Sequence, residues 1–266
     1  MPAPNPKKDT GLLVASLRQA GDIARRYYSG PCKSWNKSRG NPVTEADVEI
    51  DRYLKRTLLS ERPGYGWLSE ETEDDPNRLT RERVFVVDPI DGTYGFLKHR
   101  PQFTIVAAVV ENGRPVAAAI YNPITEEMFE AAQGKGAKKN GAAIHVSRRT
   151  GFDGARILAE KKLMEPARWA TPWPDSITAE TRASAAYRIA LVASGEWDIT
   201  MSLTQKSDWD LAAGDLVVRE AGGLVTDRDA GLLIYNQKIP VHGSVICAGP
   251  QMHAQVLGRL HEYRPA

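Results

Sequence analysis

Two cysteines in 266 residues, Cys32 and Cys247, are too few and too widely separated for a disulfide framework or a cysteine zinc site. The five histidines (His99, His145, His242, His253 and His261) fall into no metal-ligand spacing, so surface or packing roles are expected for them. Long apolar runs are missing near the start of the chain. Residues 12–15 are apolar, but Arg18 follows soon after, which is too short for a signal-peptide core or a bilayer span. A cytoplasmic protein without a membrane partner is expected. The net charge of +2 is too small to call for a nucleic-acid partner, and no repeat or low-complexity tract appears. What remains is ordinary for a globular chain: 42% hydrophobic and 26% charged residues, enough for one large or two modest domains.

Apolar spacing predicts a first helix over residues 12–28, capped by Asp9 or Thr10 after a disordered lead at 1–8. Residues 33–42 read as a polar loop. Thr44, with Asp47 three residues on, reads as a capping box opening a second helix that runs to about Leu59. Short β-rich segments follow at 65–68, before Asp88, and at 103–110, 116–122 and 128–132, with Asn112-Gly113 as a hairpin turn. This first part reads as two helices and a mostly antiparallel sheet. Beyond Gly151, strands and helices alternate: strands at 156–159, 197–201, 224–226 and 244–248, helices at 183–194, 209–221 and 251–262. A layered α+β or α/β sandwich (αβαβα) is expected, with an N-terminal domain over 1–150 and a C-terminal domain over 151–266.

The most informative stretch is RVFVVDPIDGTYGF at 83–96. A β-branched run stops at Asp88, Pro89 cannot extend a central strand, and Asp91 follows before Gly92-Thr93 turns the chain. Two carboxylates fixed at such an edge, beside free backbone amides, suit a divalent cation next to a phosphate. Alone, the motif also reads as a solvated acidic turn. Glu70 in LSEE and Asp210 in WDLAAG are further acidic positions, although Asp210 is equally a first-turn partner of a helix dipole. Asp227-Arg228-Asp229 has the D-x-D spacing of phosphatases with an aspartate nucleophile, but its late position favours a polar turn.

Taken together, S-E-E, D-P-I-D-G-T and W-D-L-A-A-G, with V-T-E-A-D at 43–47 and E-A-G-G at 220–223, resemble the inositol monophosphatase superfamily over nearly the whole chain. These are Mg²⁺-dependent, lithium-sensitive phosphomonoesterases. The resemblance implies two or three Mg²⁺ ions. Glu70, Asp88 and the carbonyl of Ile90 would hold the first, and Asp88, Asp91 and Asp210 the second. Gly92 and Thr93 amides would take phosphate oxygens, and Thr93, bonded to Asp47, would help Glu70 orient the attacking water. Lithium and calcium are expected to inhibit, and a homodimer is expected. On this reading Asp91→Asn abolishes turnover while leaving the fold intact or, through relief of carboxylate repulsion, slightly more stable.

For the substrate, three features lean towards the CysQ-type 3′(2′),5′-bisphosphate nucleotidases. Ser69 stands where inositol phosphatases commonly carry Gly; FLKHRPQFT at 96–104 is similar to a nucleotidase pattern; and Leu203 replaces an acidic residue that contacts inositol. Lys98 and Arg100 would meet a second phosphate, or are loop charges. Lys37 is either a mobile active-site lysine or a loop lysine. The alternatives are an inositol-1-monophosphatase, and a non-catalytic scaffold or RNA-associated regulator using Lys135, Lys138, Lys139, Arg148 and Arg149.

Overall fold

The computed structural model describes residues 5–38 and 40–264. The first helix, α1 (Pro6–Ser29), begins earlier than expected, because the Asn5 side chain accepts from the amides of Lys7 and Lys8 and Pro6 needs no donor there. Residues 5–8 are therefore an ordered helix start, and residues 1–4 lie outside the described chain. Asp9 does not cap the helix. It is buried, bonded to Arg62, Tyr65 and Arg83 (2.8–3.0 Å), and ties α1 to the elements below it.

The expected loop at 33–42 is a hairpin instead, β1 (Ser34–Ser38) paired with β2 (Asn41–Thr44). Its residues are mostly exposed, so no apolar alternation announced it. Thr44 and Asp47 form the expected capping box at the start of α2 (Glu45–Glu61). Seven strands then make one sheet in sequence order: β3 (Gly66–Ser69), β4 (Arg83–Asp91), β5 (Thr104–Glu111), β6 (Arg114–Asn122), β7 (Glu127–Ala132), β8 (Ala137–Lys139) and β9 (Ala142–Ala143). Only β3 and β4 pair in parallel; the other neighbours are antiparallel. The short helix α3 (Thr93–Leu97) leaves the end of β4.

A second sheet is built from β10 (Arg156–Ala159), β11 (Thr178–Glu180), β12 (Ile199–Ser202), β14 (Leu224–Thr226) and β16 (Val245–Ala248), in the order β11-β10-β12-β16-β14. Between these strands in sequence lie α4 (Ala185–Ala193), α5 (Asp208–Glu220) and the two-residue pair β13 (Lys206–Ser207) and β15 (Val241–His242), with α6 (Pro250–Arg259) last.

Strand alternation explains the layering. Phe85, Val87, Ile105 and Ala107 face α1 and α2, where Leu13, Leu17, Ile50 and Leu54 cover them. Val84, Val86, Val106 and Ala108 face the other way, onto Leu191, Leu211, Leu216 and Val217 of α4 and α5. Those helices also meet Leu158, Val225 and Cys247 of the second sheet, whose outer face packs Ile157, Ile199 and Ile246 on Met252 and Val256 of α6. The stack is thus helices, sheet, helices, sheet, helix, the layered sandwich expected. Each fully buried Leu or Ile contributes about 1.5–3 kcal/mol. Among the described residues no helix is long and apolar enough to cross a membrane.

The α1–sheet contact is tight at Gly21, where an added Cβ would lie 2.5 Å from Tyr121 Cε1, whereas at Gly11 nothing lies within 4 Å. Gly21→Ala should therefore lower unfolding free energy by about 1–3 kcal/mol through overpacking. Gly11→Ala on the same helix should raise it by up to about 1 kcal/mol. Urea denaturation of both variants checks the contrast, and equal effects would refute it.

Candidate metal centre and active site

The first sheet ends at one edge in acids because β4 does not stop at Pro89. It continues to Asp91, with a register shift between Asp88 and Asp91 against β5. The bulge at Pro89-Ile90 leaves Asp88 and Asp91 on the same side of the strand end. Ile90 N–H donates to Asp88 Oδ1 at 3.0 Å, which fixes that carboxylate. Gly92 follows at φ 94°, and a Cβ there would also come within 3.0 Å of Ser184 N, so the turn and the close approach both require glycine.

Asp91 is held from the far layer. Its carboxylate accepts from Ser184 Oγ (2.6 Å), Ala186 N (2.6 Å) and Ala185 N (3.2 Å), so it sits on the N-terminus of α4. Asp210 arrives on the first turn of α5, where its Oδ2 accepts from Ser207 N at 2.7 Å in a capping box. The dipole role and the site role therefore coincide. One oxygen from each of Asp88, Asp91 and Asp210 lies within 4.8 Å of the others.

Glu70 follows β3, anchored by its amide on Val87 O (3.3 Å). Lys37, reaching in from β1, binds Glu70 at 2.9 Å and Glu71 at 2.7 Å. The sequence left two readings of this lysine; it belongs to the site's rim. Thr93 Oγ1 donates to Ile90 O (3.1 Å) and to Asp47 Oδ1 (3.3 Å), while Asp47 Oδ2 accepts from Thr44 N (2.8 Å) and Thr44 Oγ1 (2.5 Å). The structure thus gathers Glu70, Asp88, Ile90, Asp91, Gly92, Thr93, Asp47 and Asp210 at one sheet edge. Lys98 and Arg100 stand apart: both are exposed, and Lys98 Nζ lies over the Tyr94 ring. Asp227 Oδ1 accepts from the amides of Asp229 and Gly231, so the D-x-D segment is a closed turn.

The electrostatics are those of a cation site. Burial, then the charge of Glu70, pushes Asp88 well above the usual carboxylate range. Burial also raises Asp91, against the hydrogen bonds of Ser184, Ala186 and Ala185. Burial, then Asp91, raises Asp210 to about 7, and burial, helped by the charges of Glu71 and Glu70, raises Asp47 to about 7 against the bonds from Thr44. Carboxylates are hard oxygen donors, and several converging in one desolvated space fit a divalent metal better than a proton relay.

Comparison with known proteins agrees. The model of the inositol monophosphatase family matches residues 6–264. The chain belongs to that family. It is 29% identical over 261 residues to the Nus factor SuhB of Escherichia coli strain K12, covering 94% of this chain and 95% of the relative. The SuhB protein of Bartonella henselae superposes with a TM-score of 0.81 at 30% identity, over 94% of this chain and 97% of the other. An IMPase of Thermotoga maritima gives 0.83 at 26%, over 96% and 97%. These relatives carry the SuhB and IMPase names rather than that of the CysQ-type nucleotidases, so the expected branch is not the one they represent.

Two residues near the cluster were not singled out from sequence. Ser184 looks like any helix cap, and its bond to Asp91 spans the two layers. Arg188, buried on α4, reads as one charge in an apolar helix.

The Asp91 geometry changes the expectation for its amide variant. Asp91→Asn puts a donor against one of three donors, so the folded state should also lose about 1–3 kcal/mol. Thermal unfolding of the metal-free variant checks this, and an unchanged or higher Tm would contradict it. The pH dependence has a definite sign. Asp47 and Asp210 hold protons more tightly folded than unfolded, against an ordinary value of 3.8. Their contribution in metal-free protein is therefore full below about pH 4 and is lost as pH rises through about 7. Mg²⁺ should raise Tm more at pH 8 than at pH 5; the reverse order would refute the assignment.

Proposed function

We propose that this chain is a Mg²⁺-dependent phosphate monoester hydrolase, cleaving by direct attack of water with no phospho-enzyme. The observation that supports it best is the convergence of Asp88, Asp91 and Asp210, all pushed up by burial, within 4.8 Å at one sheet edge. Asp88, Asp91 and Asp210, with Glu70 and the Ile90 carbonyl, are the groups that would hold the metal. Bound Mg²⁺ neutralises phosphate charge and lowers the pKa of a coordinated water.

The protein's own residues do the rest. Glu70 accepts a proton from, and orients, the water that attacks. Thr93, restrained by Ile90 O and Asp47, fixes that water's second hydrogen bond. The first amides of α3 lack intrahelical partners and take phosphate oxygens. Gly92 lets that backbone approach closely. Lys37 counters the charge of Glu70 and Glu71 at the rim.

For the alcohol, the IMPase name of a neighbour at 26% identity supports an inositol monophosphate. The absence of an acid at Leu203 supports a bisphosphonucleotide such as 3′-phosphoadenosine 5′-phosphate. A separate reading is a Nus factor role, supported by the name of the SuhB relatives. His145 and Arg148 line one cleft that suits an RNA phosphate, whereas Arg149 is tied to Asp198 and Lys139 to Glu127 and Glu196.

Phosphate release with Mg²⁺ from inositol 1-phosphate and 3′-phosphoadenosine 5′-phosphate, side by side, tests the hydrolase reading. Release from at least one, inhibited by lithium and by calcium, is expected. A tenfold preference, about 1.4 kcal/mol in the transition state, would choose the alcohol. No release from either, with salt-sensitive RNA binding, would favour the Nus factor reading.

A further inference from the structure

The outer side of α2 carries three cations that have no part in the chemistry so far. Arg52, Lys55 and Arg56 lie three and four residues apart, so they share one side of the helix, away from the buried Ile50, Leu54 and Leu58. Among the described residues none of the three is paired with a carboxylate. Basic side chains around them are paired: Arg26 holds Glu49, Lys37 holds Glu70 and Glu71, and Arg62 holds Asp9. Like charges one turn apart repel and weaken a helix, and here no neighbouring acid relieves them.

The three side chains border an open cleft of about 520 Å³ between α2 and residues 71–73, the segment that follows Glu70. Asp88, Asp91 and Asp210 form no part of its walls. Two of the acids that line it are engaged: Asp51 accepts from Ser69 Oγ and Thr72 Oγ1, and Glu71 holds Lys37 at 2.7 Å. Glu73 is exposed and uncommitted among the described residues. The cleft therefore sets three free cations against one free carboxylate. The extent of the patch limits what it can hold. Arg52 to Arg56 spans about 6 Å of helix axis. The next positions on that side are Val48 in one direction and Leu59 and Ser60 in the other, and Glu49 is taken by Arg26 and Tyr27. A nucleic-acid strand needs cations that continue along its backbone, whereas a short phosphate chain needs a few in one place. Two guanidinium forks and one ammonium match phosphate oxygens.

We propose that this cleft binds the phosphate chain of a small polyanion, a di- or triphosphate either free or esterified, through Arg52, Lys55 and Arg56. The site is separate from the metal centre and does not depend on the hydrolase reading. Its wall is nevertheless continuous with the segment that carries Glu70, since Glu71 and Glu70 share Lys37.

Titration calorimetry of the full chain with sodium tripolyphosphate tests this. It is run without Mg²⁺, so that the carboxylate cluster itself repels anions. One equivalent should bind, more weakly as salt rises. The triple variant Arg52→Gln/Lys55→Gln/Arg56→Gln should bind at least about tenfold more weakly. Lys161→Gln/Lys162→Gln/Lys238→Gln removes as much charge from exposed positions elsewhere and should stay within about twofold of the parent. Tripolyphosphate should also raise the Tm of the parent and not that of the first variant. Arg52→Gln and Arg56→Gln singly, both at exposed positions, should each lose several-fold and stand in if the triple variant does not fold. ATP titrated in parallel distinguishes the source: equal affinity means that the phosphate chain alone is held, and tighter binding that the attached nucleoside is held as well. Equal losses in the two triple variants would make the binding a long-range charge effect and overturn the proposal. Absence of binding would overturn it too. So would a single-stranded RNA that displaces tripolyphosphate and needs the same three residues, because the patch would then belong to a strand track.

Discussion

Mutual repulsion among buried carboxylates is the constraint around which this chain is organised. Burial first, and for Asp88 and Asp210 the charge of neighbouring acids after it, raises the pKa values of Asp88, Asp91 and Asp210, so both desolvation and crowding work against three ionised groups here. The scaffold meets that cost with backbone donors: Ile90 N–H on Asp88, the start of α4 on Asp91, and Ser207 N–H on Asp210. Each donor is part of a bulge or helix start, so the positions of the acids follow from the positions of whole elements. Side-chain rotamers have little left to decide.

The same logic explains why the site lies where the layers meet. The first sheet supplies Glu70, Asp88 and Asp91 from neighbouring parallel strands, β3 and β4. The middle helices supply Asp210 and the donors to Asp91. Gly92 lies at the junction of these contributions, where a Cβ would come within 3.0 Å of Ser184 N. Fixed charges on rigid elements suit a small, hard cation with strict octahedral demands better than a larger one with loose geometry.

Much of this was legible in the sequence, for identifiable reasons. Helices α2, α5 and the strands around Asp88 have strong apolar periods and recognisable caps, and the acidic motifs lie at their ends, where side chains are free to converge. The β1–β2 hairpin was not legible because its strands are exposed and carry no buried face. Nor was the start of α1, where a single Asn side chain decides the first turn. Pro89 looked like a strand stop because proline cannot donate to a ladder; a bulge absorbs the missing donor and lets pairing resume at Asp91. Arg188 and Ser184 were invisible for another reason. Their significance lies in what stands opposite them across a layer boundary, and local sequence holds no trace of that.

The bond from Ser184 to Asp91 has a temporal consequence. A chain emerging from the ribosome presents Glu70, Asp88 and Asp91 long before residues 184 and 210 exist outside the tunnel. Until then the three early acids lack the donors of Ser184, Ala185 and Ala186 and the company of Asp210. The complete cup of Asp88, Asp91 and Asp210 arises only when the middle helices dock, so the last residues to join the cluster also close the layers over it.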